Sequence, residues 1–220
     1  MLRHRIAIRN LAFSCVLGIF ISACSEQTAK PSAQRVNPVE LAKQEKADIQ
    51  ALTDQELYLW CNMAFDGSRE ASDANYLYPG SGNLLRVGTR VRVIHAKGSK
   101  IGRAFIEIQP EGQDQTYDIA FKFGVKRMSG SEYFHGILRP TDPGQMIAAK
   151  SPEVAGAIRG GKLIPGLTKE EALLARGYPP FHRTAGIEAD DWMYYNSREA
   201  IDMVHFVDGK ITSIEPGQPH

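Results

Sequence analysis

The sequence predicts an α+β protein: an N-terminal helix and a small all-β, barrel-like domain, then a layered domain of two helices and three antiparallel strands. Three observations predict it. Apolar and polar residues alternate in three runs between Val87 and Phe123, the period of strands with one buried face. Helix-start signatures at Ser151 and Thr168 precede three further alternating runs. The last two of those runs are separated by Asp208-Gly209, the residues of a two-residue hairpin turn.

The chain has 220 residues, 43% hydrophobic and 23% charged, with a formal net charge of +1. That length holds one large or two small domains, and the balance is that of a globular protein rather than a disordered one. Near-neutral charge argues against a protein built for nucleic acid, where a strongly basic face is expected. Three cysteines are too few for a disulfide scaffold.

The N-terminus reads as an address. Arg3, His4, Arg5 and Arg9 make a basic start, and Leu11 to Ala23 is an almost purely apolar run. It falls short of the ~20 residues that span a bilayer as a helix, so residues 1–23 read as a secretory signal. The run ends in Ile21-Ser22-Ala23-Cys24, which resembles the bacterial lipobox. The resemblance implies that cleavage leaves Cys24 as the N-terminus, joined to lipid through its sulfur and carrying acyl chains such as palmitate. Several chains on one residue hold a protein stably on a membrane, whereas one is marginal. Ser25 follows where an Asp tends to retain Gram-negative lipoproteins at the inner membrane. The implied location is therefore the outer membrane, facing the periplasm. Processing would leave 23 basic against 25 acidic residues, which makes a polyanion-binding role less fitting.

Residues 24–37 are polar, contain Pro31 and have no apolar period; they read as a tether. Residues 38–145 are expected to hold a helix and the barrel-like domain. Asn37-Pro38-Val39-Glu40 opens a helix with Pro in its first turn. Thr53-Asp54-Gln55-Glu56 fits a capping box and predicts a helix that sets Leu57, Trp60, Cys61 and Ala64 on one face, with Cys61 a buried small hydrophobe. Strands are expected at Val87–Ile94, Ile101–Ile108 and Thr116–Phe123, with Tyr133 and Phe134 in a further strand, and their close spacing suggests a small barrel or curled sheet. Residues 146–220 form the second expected domain. Ser151-Pro152-Glu153 starts a helix that Gly160 and Gly161 end. Thr168-Lys169-Glu170-Glu171 caps another, stopped by Gly177 and by Pro179-Pro180. Strands follow at Trp192–Tyr195, Ile201–Val207 and Lys210–Ile214.

Four pieces of this second part occur together: Ile164-Pro165-Gly166-Leu167-Thr168-Lys169-Glu170-Glu171, Gly177-Tyr178-Pro179-Pro180, Asp191-Trp192-Met193-Tyr194, and Val204-His205-Phe206-Val207-Asp208-Gly209-Lys210-Ile211. Their order and spacing resemble the SmpA/OmlA (BamE-like) outer-membrane lipoprotein domain over roughly 154–214. With the domain before it, the chain looks like a two-domain relative, a small barrel of Src-homology type followed by a BamE-like helix-helix-three-strand domain. The resemblance implies a non-catalytic, lipid-anchored module that docks another envelope protein in cell-envelope or outer-membrane protein assembly. Tyr178 and Phe181, in the loop after the second helix, are the expected partner-binding aromatics. Similar layering occurs in β-lactamase inhibitory proteins, so a periplasmic inhibitor or ligand-binding module is the alternative.

Other motifs offer little chemistry, and no catalytic, cofactor or metal residue is expected. Gly156, Gly161 and Lys162 have phosphate-loop spacing, but Leu163 stands where Ser or Thr should hold magnesium. His95, His135, His182, His205 and His220 show no metal-ligand spacing. Asp190 and Asp191 with His182 could form an acid–base cluster, and read more simply as a loop entering a strand. Arg86, Arg90, Arg92, Lys97, Lys100 and Arg103 make a basic run, read as a solvated strand face or a contact for anionic headgroups or envelope polymers.

Overall fold

The computed structural model describes residues 37–77, 83–98, 103–122, 128–197 and 199–217. The signal, Cys24 and the tether lie outside them, as do Tyr78, Lys100, Ile101, Phe123 and His220. Helix α1 (Pro38–Gln50) starts as its sequence asks. Asn37 caps it by accepting from the Val39 N–H at 3.0 Å.

The helix expected after Thr53 is instead strand β1 (Glu56–Leu59). Asp54 adopts φ +65°, which breaks the helical path. The same residues also carry a period of two: Leu57, Leu59, Cys61 and Met63 are all buried. Pairing with a neighbouring strand decides between the two periods, and Leu57 lies opposite Val91. Cys61 is buried as expected, and burial pushes its thiol pKa up to about 12.

Strands β2 (Met63–Phe65) and β4 (Asn83–Leu85) form a two-stranded antiparallel sheet. The larger sheet adds β3 (Glu70–Ser72), β5 (Arg90–Gly98), β6 (Ala104–Pro110), β7 (Tyr117–Phe121) and β8 (Leu138–Arg139) to β1. Its order is β3-β7-β6-β5-β1-β8. Strands β3 and β8 are its edges, so of the two forms expected from the strand spacing, small barrel or curled sheet, the chain adopts the curled sheet.

Tyr133 and Phe134 are not in a strand. They belong to α2 (Gly130–Ile137), where Ser129 and Glu132 cap each other reciprocally. The helix sets Tyr133, Phe134 and Ile137 into the core with Val93, Ile106, Ile119 and Phe121 from the sheet.

Helix α3 (Gly144–Ala148) leads to α4 (Pro152–Gly160), capped by Ser151, and α5 (Lys169–Arg176), capped by Thr168 with Glu171. Strands β9 (Asp191–Tyr195), β10 (Ile201–Val207) and β11 (Lys210–Glu215) form an antiparallel sheet in the order β11-β10-β9. Asp208 and Gly209 both take positive φ, 51° and 74°, as a type I′ turn requires. Leu167 and Ala172 pack on Trp192, Tyr194, Val204, Phe206 and Ile211 to form a second core. A third cluster, Ile147, Ala155, Ile158 and Leu174, is packed against Trp60 and Val87 from the first part of the chain.

The described residues from Asn37 onward form one compact unit. Two buried asparagines stitch its halves together. The last carbonyls of α5 have no partner within their own helix. Asn62 donates its backbone N–H to Leu174 O at 3.3 Å and its Nδ2 to Ala175 O at 2.9 Å and Ile158 O at 2.7 Å. Asn75 donates its Nδ2 to Arg176 O at 2.8 Å and to Asn62 O at 2.9 Å. Their Oδ1 atoms accept from Val87 N and Ala64 N. Gly177 follows with φ +72°, and a Cβ there would lie 3.0 Å from Asn75 Nδ2 and 3.2 Å from Cys61 Sγ. The close approach of the two halves leaves no room for a side chain at this position.

Replacing Asn62 by Ala leaves Ile158 O, Ala175 O and Val87 N buried without these partners. The substitution should cost about 2–4 kcal/mol, read as a lower urea midpoint. A loss within about 0.5 kcal/mol, the range of ordinary surface substitutions, would show that these bonds do not hold the halves together.

Candidate interaction surface

The C-terminal sheet has two unlike faces because its strands alternate. Trp192, Tyr194, Val204, Phe206 and Ile211 point to the helices. Met193, Tyr195, Ile201, Met203, His205 and Val207 therefore lie on the opposite face. Register brings them together: Met193 is opposite Met203, and Tyr195 opposite Ile201. Met193, Ile201 and Met203 are half-buried, and Val207 is 58% exposed.

His205 sits on the central strand β10, at the end of this face where β9 begins. Its Nδ1 is 2.7 Å from Asp191 on β9, and its Nε2 is 3.5 Å from Glu215 on β11. One imidazole thus joins all three strands. The hydrogen bond to Asp191, helped by the charge of Glu215, raises its pKa above the ordinary 6.5.

The other end of the face is aromatic. Tyr76, 40% exposed, lies against Tyr195 with ring centroids 4.5 Å apart. His182 Nε2 is 3.1 Å from the Tyr195 hydroxyl. Partial burial, with Arg183 nearby, lowers the pKa of His182, which keeps it neutral near pH 7. Several bonds fix the sheet from behind. Tyr194 donates its hydroxyl to Gly177 O at 2.9 Å, Met193 N donates to Thr184 Oγ1 at 3.0 Å, and Arg176 Nη2 donates to Tyr195 O.

The loop aromatics expected to bind a partner are placed inside. Phe181 is 4% exposed, and Tyr178 is half-buried. Their rings lie 5.9 Å apart, and Tyr178 is 5.8 Å from Tyr133 of α2. Tyr178 also packs directly on the backbone of Gly136. The loop is thus part of the seam between the halves, and Phe181 offers no open face to a partner. Tyr76 is the aromatic that faces solvent beside Tyr195. Its place in a turn-rich stretch is visible in the sequence, but its stacking on a residue over a hundred positions away is not.

The acid–base cluster read from adjacent sequence positions is dispersed. Asp191 pairs with His205, Asp190 with Lys169 at 3.3 Å, and His182 with Tyr195. Gly156 lies within α4 and Gly161 is its C-cap, so the phosphate-loop spacing belongs to a helix and its end. Two members of the basic run, Arg90 and Arg92, are paired with acids. Arg90 pairs with Glu56 and Glu111, Arg92 with Asp54 at 3.0 Å, and Arg86 donates to Arg159 O at 2.7 Å. Among the described residues no group of three or more His, Cys, Asp or Glu side chains could hold a metal ion. None of the described helices is long and apolar enough to cross a membrane.

Comparison of the chain with family models, with curated proteins and with solved structures finds no match.

Two measurements test this geometry. Pairing raises the folded-state pKa of His205, so its stabilisation is full below pH 6.5 and is lost as pH rises through the raised value. The stability gap between wild type and His205→Gln should therefore narrow as pH rises across that window in urea titrations. A gap that widens would reverse the assignment. Phe181→Ala should cost about 3–5 kcal/mol through the cavity it opens. A loss under about 1 kcal/mol in the same titration would place Phe181 at the surface after all.

Proposed function

We propose that this chain is an outer-membrane lipoprotein, acylated at Cys24 and facing the periplasm, that acts without catalysis by docking another envelope protein. The docking surface is the outer face of β9, β10 and β11, and its role is in assembly or maintenance of the cell envelope. The observation that carries the reading is the open sheet face, where half-buried Met193, Ile201 and Met203 lie between His205 and the solvent-facing ring of Tyr76, which packs on the buried Tyr195. Methionine and tyrosine adapt well to protein partners: one is flexible and polarisable, the other large, rigid and amphipathic. The lipobox-like Ile21-Ser22-Ala23-Cys24 supplies the location.

The SmpA/OmlA (BamE-like) resemblance agrees with this reading. Gly166-Leu167-Thr168-Lys169-Glu170-Glu171 forms the capped start of α5. Asp191-Trp192-Met193-Tyr194 lies in β9, and Asp208-Gly209 turns between β10 and β11. Each piece has a structural task, which suits a scaffold that presents a surface.

Metabolic labelling with palmitate in the native host should mark the wild type and leave Cys24→Ala unmarked and released from the membrane fraction. A photocrosslinking residue at Met203 should give a discrete protein adduct, whereas one at Ile94 of β5 should not. Equal adducts at both positions, or none at Met203, would remove the sheet face from the proposal.

A further inference from the structure

Helix α1 is held to the body only through its C-terminal half. Ile49 is buried, Glu45 accepts from the Gly130 N–H at 2.8 Å, and Lys46 lies close over Gly98 of β5. Residues Pro38 to Gln44 are all exposed. At 1.5 Å per residue the helix projects by about 10 Å beyond its seat. The projecting tip carries two bare aliphatic side chains beside Glu40, Lys43 and Gln44: Val39 is 59% and Leu41 is 55% exposed, among the largest exposures of apolar side chains among the described residues.

The backbone amides of the tip find partners within the helix start. A helix start ordinarily leaves four N–H groups without partners. Here Pro38 has none to leave, Val39 N donates to Asn37 Oδ1, and Glu40 N and Leu41 N donate to Asn37 O at 3.0 and 3.1 Å. Glu40, the one acid in the first turn, is paired with Lys43 at 2.8 Å. At the headgroup boundary the exposed Glu40–Lys43 pair can stay in water while Val39 and Leu41 gain by burial.

Twelve residues lie between Cys24 and Asn37, so the tip can stand at most roughly 45 Å from the acyl chains. We infer that the N-terminal tip of α1 seats in the lipid surface, with Val39 and Leu41 at the boundary of headgroups and acyl chains. The inference rests on the proposed acylation of Cys24. The tip gives the domain a second foothold beside the acyl group, which sets the distance of the protein from the bilayer.

The test uses the full-length acylated protein carrying Leu41→Cys, labelled with a polarity-sensitive fluorophore, on vesicles of phosphatidylethanolamine and phosphatidylglycerol. Cys61 stays unlabelled because it is buried. A second variant, Val207→Cys, reports from the C-terminal sheet. The expected result is a blue shift for the Leu41 probe on vesicles, with quenching by lipids that carry nitroxides on their acyl chains. The Val207 probe should show neither. Vesicle-bound protein whose Leu41 probe behaves like the Val207 probe overturns this inference and leaves the acylation reading standing. Protein from the native host that lacks lipid on Cys24 and washes off the vesicles overturns both.

Discussion

The fold depends on a helix end capped from a distance. Three consecutive carbonyls of α5, those of Leu174, Ala175 and Arg176, receive hydrogen bonds from Asn62 and Asn75. Both asparagines are buried, so water cannot replace what they donate. Asn62 also reaches Ile158 O of α4. Two amide side chains thereby hold both C-terminal helices against the start of the chain. Hydrophobic contact through Leu174, Ile158 and Trp60 supplies area. The asparagines supply direction, because an unmade bond in that seam would leave a polar group without a partner.

From this junction the constraint passes to the candidate surface. Gly177 leaves α5 at a positive φ with Asn75 and Cys61 against its Cα. Its carbonyl receives the Tyr194 hydroxyl, and Arg176 reaches Tyr195 O. Strand β9 is thus anchored on the same few residues that join the halves. Tyr76 follows Asn75 directly, so the asparagine that caps α5 also delivers the tyrosine that stacks on Tyr195. The outer face is in this sense a product of both halves, although all its strands come from one. His205 then ties the three strands at the other end. The tip of α1, by contrast, lies in the part of the molecule that the junction does not organise.

How much was legible in the sequence follows the range of the interactions. Helix starts at Asn37, Ser151 and Thr168 were readable because a cap acts within three residues. The Asp208-Gly209 turn was readable for the same reason. The segment from Leu57 to Ala64 carries helical and strand periods together, and only the partner β5 selects between them. Tyr133 and Phe134 looked like strand residues by type, yet Ser129 and Glu132, three apart, held the helical signal. The loop after α5 is legible from Gly177 and Pro179-Pro180, but the sequence alone does not separate partner-binding from core for its aromatics Tyr178 and Phe181. How far Tyr178 meets solvent depends on Tyr133 and Gly136 of α2, over forty residues earlier, and Phe181 packs on Tyr178 in turn.

By itself, then, the sequence determined the local starts and stops, the alternation of the C-terminal strands, and the lipobox-like pattern that suggests an address. Each depends on neighbours within a few positions, where backbone geometry and side-chain hydrogen bonds leave few choices. The tertiary structure decided which apolar residues became core and which stayed on a surface. It paired Arg90 and Arg92 with acids, separated Asp191 from His182, and chose the curled sheet over the closed barrel. These outcomes rest on contacts between residues distant in the chain, and pairing partners, burial and charge compensation have no counterpart in a local pattern.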